Sequence, residues 1–276
     1  MFDSVVFAGG GCRCFWQLGL WSVAGAALDI RPRVATGVSA GAAMACVALL
    51  GRCEETLRRF KAATARNPKN VYPENLLRGG RVFPHHAMYR EAILHAVDAA
   101  GLERLRTGPT DLGILLACAP RGLGTHLSLL LGLGCYVVEK RFGDPVHSEL
   151  AHRVGFAAEL VSARSCRTPS ELADLILASS CTPPFTPAMR RGGRPVLDGS
   201  LVDCAPLATT TGRTLVLLSR SYGRTPEARA DRVYLGPSEP IAVSKWDYTS
   251  PDALQRAYDL GRRDGEAFVR RAGGDP

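Results

Sequence analysis

A serine between two glycines lies near the start of the chain, in the segment Gly37-Val-Ser-Ala-Gly41. A short predicted strand precedes the segment and a run of small, helix-forming residues follows it. The glycines permit the tight strand-to-helix turn that exposes the Ser39 hydroxyl, and the helix directs the positive end of its dipole at this hydroxyl. The segment favours a nucleophilic serine, although a glycine-rich helix start without chemistry is the simpler alternative.

A serine hydroxyl needs a base before it becomes a good nucleophile at neutral pH. The histidines that could serve are His85, His86, His95, His126, His147 and His152. A hydrolase of the common α/β type orders its triad as Ser, acid and then His, yet the long C-terminal part of this chain contains no histidine. Most of these histidines are better explained as surface or partly buried helix residues.

A carboxylate in the segment Pro195-Val-Leu-Asp-Gly-Ser200 offers a different base. The apolar pair predicts the end of a strand and the glycine opens a turn, so Asp198 can point into a cleft. A carboxylate whose pKa is raised by burial can act as a general base on a hydroxyl that it reaches directly. An Asp-Gly turn of a hairpin, without any catalytic role, explains this segment equally well.

A cluster of glycines follows the first predicted strand, in Phe7-Ala-Gly-Gly-Gly-Cys-Arg-Cys14. Such a loop presents backbone N–H groups to an anion, either a bound phosphate or a charge that forms during a reaction. The dinucleotide pattern G-x-G-x-x-G fails because Cys14 stands at its last position, and no Walker Lys-Ser/Thr follows a glycine loop. A nucleotide- or phosphate-binding module therefore stays only as an alternative.

These three segments, in this order, resemble the motifs of the patatin-like phospholipase family. That family has a GGGxRG oxyanion loop, a GxSxG serine and a distant Asp-Gly-Gly or Asp-Gly-Ala. The segment from Ala178 to Phe185 also resembles the Ser-rich, Pro-terminated stretch before the family's aspartate. The resemblance covers residues 5 to about 210 and implies an α/β fold, a three-layer α/β/α sandwich around a mostly parallel sheet.

The resemblance also implies roles for individual residues. Ser39 would be the nucleophile and Asp198 its base, in a dyad without histidine. The turns that hold them would be formed by Gly37 and Gly41 around the serine, and by Gly199 and Ser200 after the aspartate. The oxyanion would be held by backbone N–H groups of Gly9, Gly10, Gly11 and Cys12.

Further residues of the loop and the aspartate motif either match the family or depart from it. Arg13 matches a basic position that would brace the loop or attract an acidic head group. Cys14 stands where the family usually has glycine, which would alter the loop if a positive φ were needed there. Ser200 replaces the usual Gly or Ala, and Cys204 stands where an Asn is common. These departures affect substrate and rate more than the class of reaction.

The function implied by the resemblance is hydrolysis of lipid acyl esters through a serine acyl-enzyme, as in a phospholipase A, lysophospholipase or carboxylesterase. The expected partner is a phospholipid or another acyl-ester lipid, and the mechanism needs no cofactor and no metal. A catalytically weak family member that binds lipid or another protein is the alternative, for which Cys14 and Cys204 are the support.

Composition sets the wider limits. With 276 residues, of which 46% are hydrophobic and 22% charged, we expect one domain over residues 1–276. The net charge of +8 predicts at most peripheral contact with an anionic membrane, because the arginines are scattered and lack the interleaved aromatics of a nucleic-acid platform. Nine cysteines and an N-terminus without a signal sequence predict buried thiols and a cytoplasmic location.

The elements that must position these residues alternate between strand and helix. Strands are predicted at Val5–Phe7, Arg33–Thr36, Asp111–Ala119, Thr125–Leu131 and Thr214–Leu218. Helices are predicted at Phe15–Leu28, Ala40–Leu50, Glu54–Arg66, His85–Ala100, from Thr168 to about Ser180, and over about 251–271. The longest apolar run, from Leu127 to Val138, is too short to cross a membrane and is predicted to be a buried strand or hairpin.

Overall fold

A mixed β-sheet forms the centre of the computed structural model, which describes residues 2–222 and 229–273. Residues 1, 223–228 and 274–276 of the predicted domain lie outside that description. The strands are β1 (Ser4–Phe7), β2 (Val34–Val38), β3 (Asp111–Cys118), β4 (Ala157–Ser162), β5 (Met189–Arg191), β6 (Arg194–Leu197), β7 (Thr214–Leu217) and β8 (Arg232–Leu235). Their order is β5-β6-β3-β2-β1-β7-β8, and β4 also pairs with β3. Neighbours from β3 to β8 are parallel, whereas β4, β5 and β6 form antiparallel pairs.

Helices cover both faces of this sheet. They are α1 (Phe15–Ala27), α2 (Ala40–Leu50), α3 (Cys53–Ala65), α4 (His85–Ala96), α5 (Ala99–Thr107), α6 (Thr125–Phe142), α7 (Leu150–Arg153), α8 (Pro169–Ser179) and α9 (Pro251–Ala272). Side chains of β1 alternate, so that Val5 and Phe7 enter the core under α1, α2 and α9, while Val6 faces the opposite core. Helices α6 and α7 cover β3 and β6 on that second face. The predicted three-layer α/β/α sandwich is confirmed.

The apolar run from Leu127 to Val138 is the main error of the sequence analysis. It is predicted as a strand or hairpin, but it forms most of α6. The small residues Ser128, Gly132 and Cys135 are buried at helical spacing, while Leu130 on the other side is 67% exposed. Because nearly every position is apolar, the run has no visible period that separates helix from strand. No helix in the described ranges combines the length and hydropathy that a bilayer crossing requires.

The segment from His85 to Ala100 is predicted as one helix and is two. Helix α4 ends at Ala96, and Asp98 begins α5 as its N-cap, accepting a hydrogen bond of 2.7 Å from the Gly101 N–H. An N-cap residue has a non-helical backbone, and its side chain accepts hydrogen bonds from the unpaired N–H groups of the first helical turn. Asp98 therefore ends one helix and begins the next. The start of α8 is as predicted: Thr168 caps Pro169–Ser179 and accepts from the Glu171 N–H.

All nine cysteines are free thiols, and eight of them are buried, while Cys204 is half-buried. This confirms the prediction that the cysteines are thiols within apolar segments. Burial raises the pKa of Cys14 to about 12 and that of Cys46 to about 12. These thiols are therefore kept protonated and behave as small apolar side chains.

The C-terminal helix packs against α1 at very close range. A Cβ at Gly261 would meet the backbone carbonyl of Trp16, and one at Gly19 would meet that of Tyr258. The indole N–H of Trp16 also donates to Asp264 at 2.7 Å. Since α1 begins at the end of the glycine loop, α9 helps to fix where that loop lies.

We expect Gly261→Ala to lower the free energy of unfolding by about 2 kcal/mol, because its methyl group would collide with backbone rather than with a movable side chain. Gly134→Ala is the matched control: it lies inside α6 with no atom within 4 Å of the new Cβ. It should raise the free energy of unfolding by about 0.5–1 kcal/mol through helix propensity. Urea denaturation measures both, and equal stability of the two variants would contradict the close packing.

Candidate active site

Ser39 lies in a strained turn between β2 and α2. Its backbone has φ 54° and ψ −133°, a conformation that residues other than glycine rarely adopt. The Ser39 N–H donates to the Ser179 hydroxyl at 2.8 Å, and that hydroxyl donates to the Leu115 carbonyl at 2.5 Å. Ser179 therefore holds the strained turn against β3, in the geometry expected of a nucleophile elbow.

The second glycine of the serine motif allows α2 to start directly beside β1. A Cβ at Gly41 would run into the backbone carbonyls of Phe7 and Ala8. At Gly37 it would meet the backbone of Ala42. Both glycines are therefore required for the approach of helix to strand, as their predicted place in the nucleophile turn implies.

Strand pairing brings Asp198 to Ser39. Since β4 fills one edge of β3 over residues 113–118, β2 and β6 must share the other edge. Val38 pairs with Leu115, and Leu197 pairs with Ala117 from the opposite direction. The turns that follow β2 and β6 therefore meet head to head beside Leu116.

A short hydrogen bond joins the two side chains across this meeting point. The Ser39 hydroxyl donates to Asp198 Oδ2 at 2.6 Å, although 159 positions separate the two residues. Asp198 Oδ1 accepts from the Ser200 N–H at 2.8 Å, and the Asp198 N–H donates to the Cys181 carbonyl at 2.8 Å. The carboxylate is thus fixed on both sides. Within the described ranges, no histidine hydrogen-bonds to Ser39 or Asp198.

The Asp198 carboxyl has a pKa above its usual range. Burial raises it, and the hydrogen bonds from Ser39 and Ser200 and the positive charge of Lys245 lower it only in part. A carboxylate with a raised pKa holds a proton more firmly, so it is a better acceptor for the proton of a neighbouring hydroxyl.

The glycine loop ends in a 3₁₀ turn, Gly11–Cys14, before α1 begins. Two of its four predicted oxyanion donors are already engaged: Gly9 N–H donates to the Cys204 carbonyl at 3.1 Å, and Cys12 N–H to the Lys245 carbonyl at 3.2 Å. Among the described residues, Gly10 N–H and Gly11 N–H have no hydrogen-bond acceptor. These two groups are the donors that the loop has available.

Arg13 and Cys14 both fit this loop. The Arg13 guanidinium donates to the Gly10 carbonyl at 3.4 Å, so it braces the loop, one of the two roles that the resemblance implied. Cys14 has φ −67°, an ordinary helical value, and its thiol points to the Ala8 carbonyl. The family's glycine is therefore not needed here for a positive φ, which in this loop occurs at Gly11.

An apolar cavity adjoins the serine turn and the loop. Its lining comes from α1, α2, α3, α4 and α8, together with Val97, Tyr248 and the loop itself. Ala40, Ala43 and Val47 face it from α2, and Phe60 and Ile93 from α3 and α4. The Tyr89 hydroxyl, 3.5 Å from the Ser39 carbonyl, adds a polar group near the serine. The cavity offers space for an apolar group next to the Ser39 turn.

Comparison with known families decides what this arrangement belongs to. A family model described as Patatin-like phospholipase matches residues 5–210. The chain belongs to the patatin-like phospholipase family. The resemblance drawn from the three motifs is thereby confirmed, and membership places the chain among lipid acyl hydrolases.

Two other comparisons accompany the family match. The crystal structure of VipD from Legionella pneumophila is similar at a TM-score of 0.48 and 11% sequence identity, covering 98% of this chain and 67% of that one. Comparison with curated proteins gives no match.

Two residues of this patatin-like site, Lys245 and Gln17, lie outside every motif, whereas a third, Ser179, lies within one. Lys245 contributes its carbonyl to Cys12 and its charge to the pKa of Asp198. Gln17 is buried and donates its amide to the carbonyls of Ala8 and Leu217, at 2.8 and 2.9 Å. Ser179 lies in the Ser-rich stretch before the aspartate, so a signal for it is present in the sequence.

We expect Lys245→Met to raise the pKa of Asp198 further, because the substitution removes a positive charge that lowers it. Lys245→Arg keeps the charge and should leave the pKa near its wild-type value. Carbon-13 NMR titration of protein labelled at aspartate measures this, and the Asp198 signal is identified by its loss in Asp198→Asn. A downward shift in Lys245→Met, or none, would contradict the assigned role of Lys245.

Proposed function

We propose that this protein hydrolyses acyl esters of lipids, with Ser39 as nucleophile and Asp198 as general base. The observation that carries the proposal is the 2.6 Å hydrogen bond from Ser39 Oγ to Asp198 Oδ2. A hydroxyl so placed can lose its proton directly to the carboxylate as its oxygen attacks, so a dyad replaces the triad.

In the acylation half of the reaction, Ser39 Oγ attacks the carbonyl carbon of the ester and its proton passes to Asp198. The tetrahedral oxyanion is stabilised by the N–H groups of Gly10 and Gly11, assisted by the positive end of the α2 dipole. As the carbon–oxygen bond of the ester breaks, the alkoxide leaving group takes the proton from Asp198. The fatty acyl group stays on Ser39.

In the deacylation half, water attacks the acyl-enzyme and transfers a proton to Asp198. A second oxyanion forms at the same two N–H groups, and its collapse releases the fatty acid. Ser39 Oγ leaves the carbonyl carbon and recovers its proton from Asp198. The site returns to its starting state without a cofactor. Loss of one oxyanion donor costs about 10²–10³-fold in turnover in a hydrolase of known mechanism. Turnover should therefore depend on the glycine loop nearly as much as on Ser39 and Asp198.

The apolar cavity beside the serine turn suits the acyl chain of the substrate. Its walls are aliphatic and aromatic apart from the hydroxyls of Tyr89, Tyr248 and Thr56 and the thiols of Cys12 and Cys46. Burial of an acyl chain there contributes about 0.8 kcal/mol per methylene group. The apolar run Leu127–Val138 does not contribute to this lining.

We expect Ser39→Ala and Asp198→Asn each to lower turnover of a medium-chain chromogenic ester by about 10⁴-fold or more. Ser165→Ala and Asp174→Asn, which make the same changes at exposed positions, are the controls and should hydrolyse the ester normally. A fluorophosphonate probe should label the wild type and not Ser39→Ala. Full turnover by either dyad variant with an intact fold would rule out the dyad, and a folded wild type that takes no label would favour the lipid-binding alternative.

We expect Ala43→Leu to shift the chain-length preference toward shorter acyl groups, because the larger side chain projects into the cavity from α2. Hydrolysis of a short-chain ester should persist while long-chain esters lose at least about tenfold in kcat/KM. Ala62→Leu, the same change on the exposed side of α3, is the control. A uniform loss at every chain length would contradict an acyl role for the cavity.

A further inference from the structure

Helix α6 turns an apolar face to solvent. We call this the outer face; its side chains are Leu127, Leu130, Leu133, Val137, Val138 and Phe142, each at least 44% exposed. Leu130, Leu133 and Val137 lie opposite the buried positions of α6, which are Ser128, Gly132 and Cys135, so their exposure follows from helical spacing. Phe142 is exposed because it is the last residue of the helix. Contiguous apolar surface of this kind ordinarily marks a site of interaction.

Basic side chains flank both ends of the outer face. At its start, the Arg190 guanidinium donates to the Thr125 hydroxyl at 3.1 Å. At its end, Lys140 and Arg141 are exposed in the last turn. The one acidic residue of α6 is Glu139, which is turned inward. Its carboxylate accepts hydrogen bonds from the Ser148 hydroxyl and from the backbone N–H groups of Glu149 and Leu150. The outer face therefore combines apolar side chains with positive charge.

Helix α6, which carries the outer face, borders the candidate active site. The Tyr136 hydroxyl accepts a hydrogen bond of 3.2 Å from Lys245 Nζ, and the carbonyl of Lys245 accepts from the Cys12 N–H of the glycine loop. On its inner side, α6 packs at Gly132 against Leu197, the residue before Asp198. Helix α6 therefore contacts residues next to both the glycine loop and the aspartate turn.

We propose that the outer face of α6 docks on an anionic lipid surface, with its leucine and valine side chains inserted between head groups and its basic ends on the phosphates. This inference rests on the proposed function, because the lipid surface on which the protein docks would contain the acyl-ester substrate. An apolar helix face with flanking cations binds such a surface in two ways: it buries apolar area among the lipids, and its positive charges are attracted to the anionic head groups. A second copy of the chain fits less well, because antiparallel packing of two α6 helices would bring the basic ends together.

The test uses the Ser39→Ala chain, so that lipid is bound without being turned over. Phosphatidylcholine vesicles with and without phosphatidylglycerol are sedimented with the protein. We expect binding to the anionic vesicles, weaker binding at high salt, and an about tenfold lower partition coefficient for Leu130→Gln/Val137→Gln. The control, Ala26→Gln/Ala27→Gln, changes two exposed apolar residues at the far end of α1 and should bind fully. Urea midpoints confirm that both variants fold.

Three results would overturn the proposal. The first is binding of the double variant on α6 as strong as that of its control, and the second is a Ser39→Ala chain that binds neither kind of vesicle. The third is a dimer in analytical ultracentrifugation that Leu130→Gln/Val137→Gln dissociates, which would assign the outer face to a second copy. Turnover of a soluble ester by the wild type is measured separately, so vesicle binding without turnover would uphold the docking and refute the proposed function.

Discussion

The contact between Ser39 and Asp198 depends on how two strands, β2 and β6, share one edge of β3. Because β4 occupies the other edge, β2 and β6 run toward each other, and the turns that follow them meet beside Leu116. This meeting costs stability: a positive φ at Ser39 costs about 1–3 kcal/mol. The raised pKa of Asp198 means that the native state loses stability as pH rises from the ordinary aspartate pKa to the raised one. The packed helices around the sheet must offset both.

The sequence predicted the structure correctly where the residues of a short motif are also required for packing between elements that are distant in the chain. Turn-forming glycines mark Ser39 and Asp198 because these glycines are needed for close packing. Gly41 permits the approach of α2 to β1, and Gly199 permits the approach of the aspartate turn to the Leu115 carbonyl. The signal failed for α6, where an unbroken apolar run conceals its period, and it does not show which N–H groups of the glycine loop lack an acceptor. Whether the N–H of Gly9 or Cys12 is free depends on the carbonyls of Cys204 and Lys245, which are distant in the chain and follow no motif.

Lys245 connects features that otherwise belong to separate parts of the fold. Its carbonyl fixes Cys12 in the glycine loop, its charge lowers the pKa of Asp198, and its ammonium group donates to Tyr136 on α6. One residue outside every motif therefore interacts with the glycine loop, with Asp198 and with the helix that we propose to contact lipid. This explains how a site assembled from three short motifs still needs the region after residue 240.

The segment that carries the family's motifs is not a folding unit. The family match ends at residue 210, yet β1 pairs with β7 along its whole length, from Ser4 with Thr214 to Phe7 with Leu217. Helix α9 lies on α1 so closely that a single methyl group would not fit between them at Gly261. A fragment ending at residue 210 would retain every motif of the family while exposing one edge of β1 and the apolar side of α1. Boundaries for expression, or for grafting this site into another protein, must therefore follow the sheet and its covering helix rather than the conserved motifs of the family.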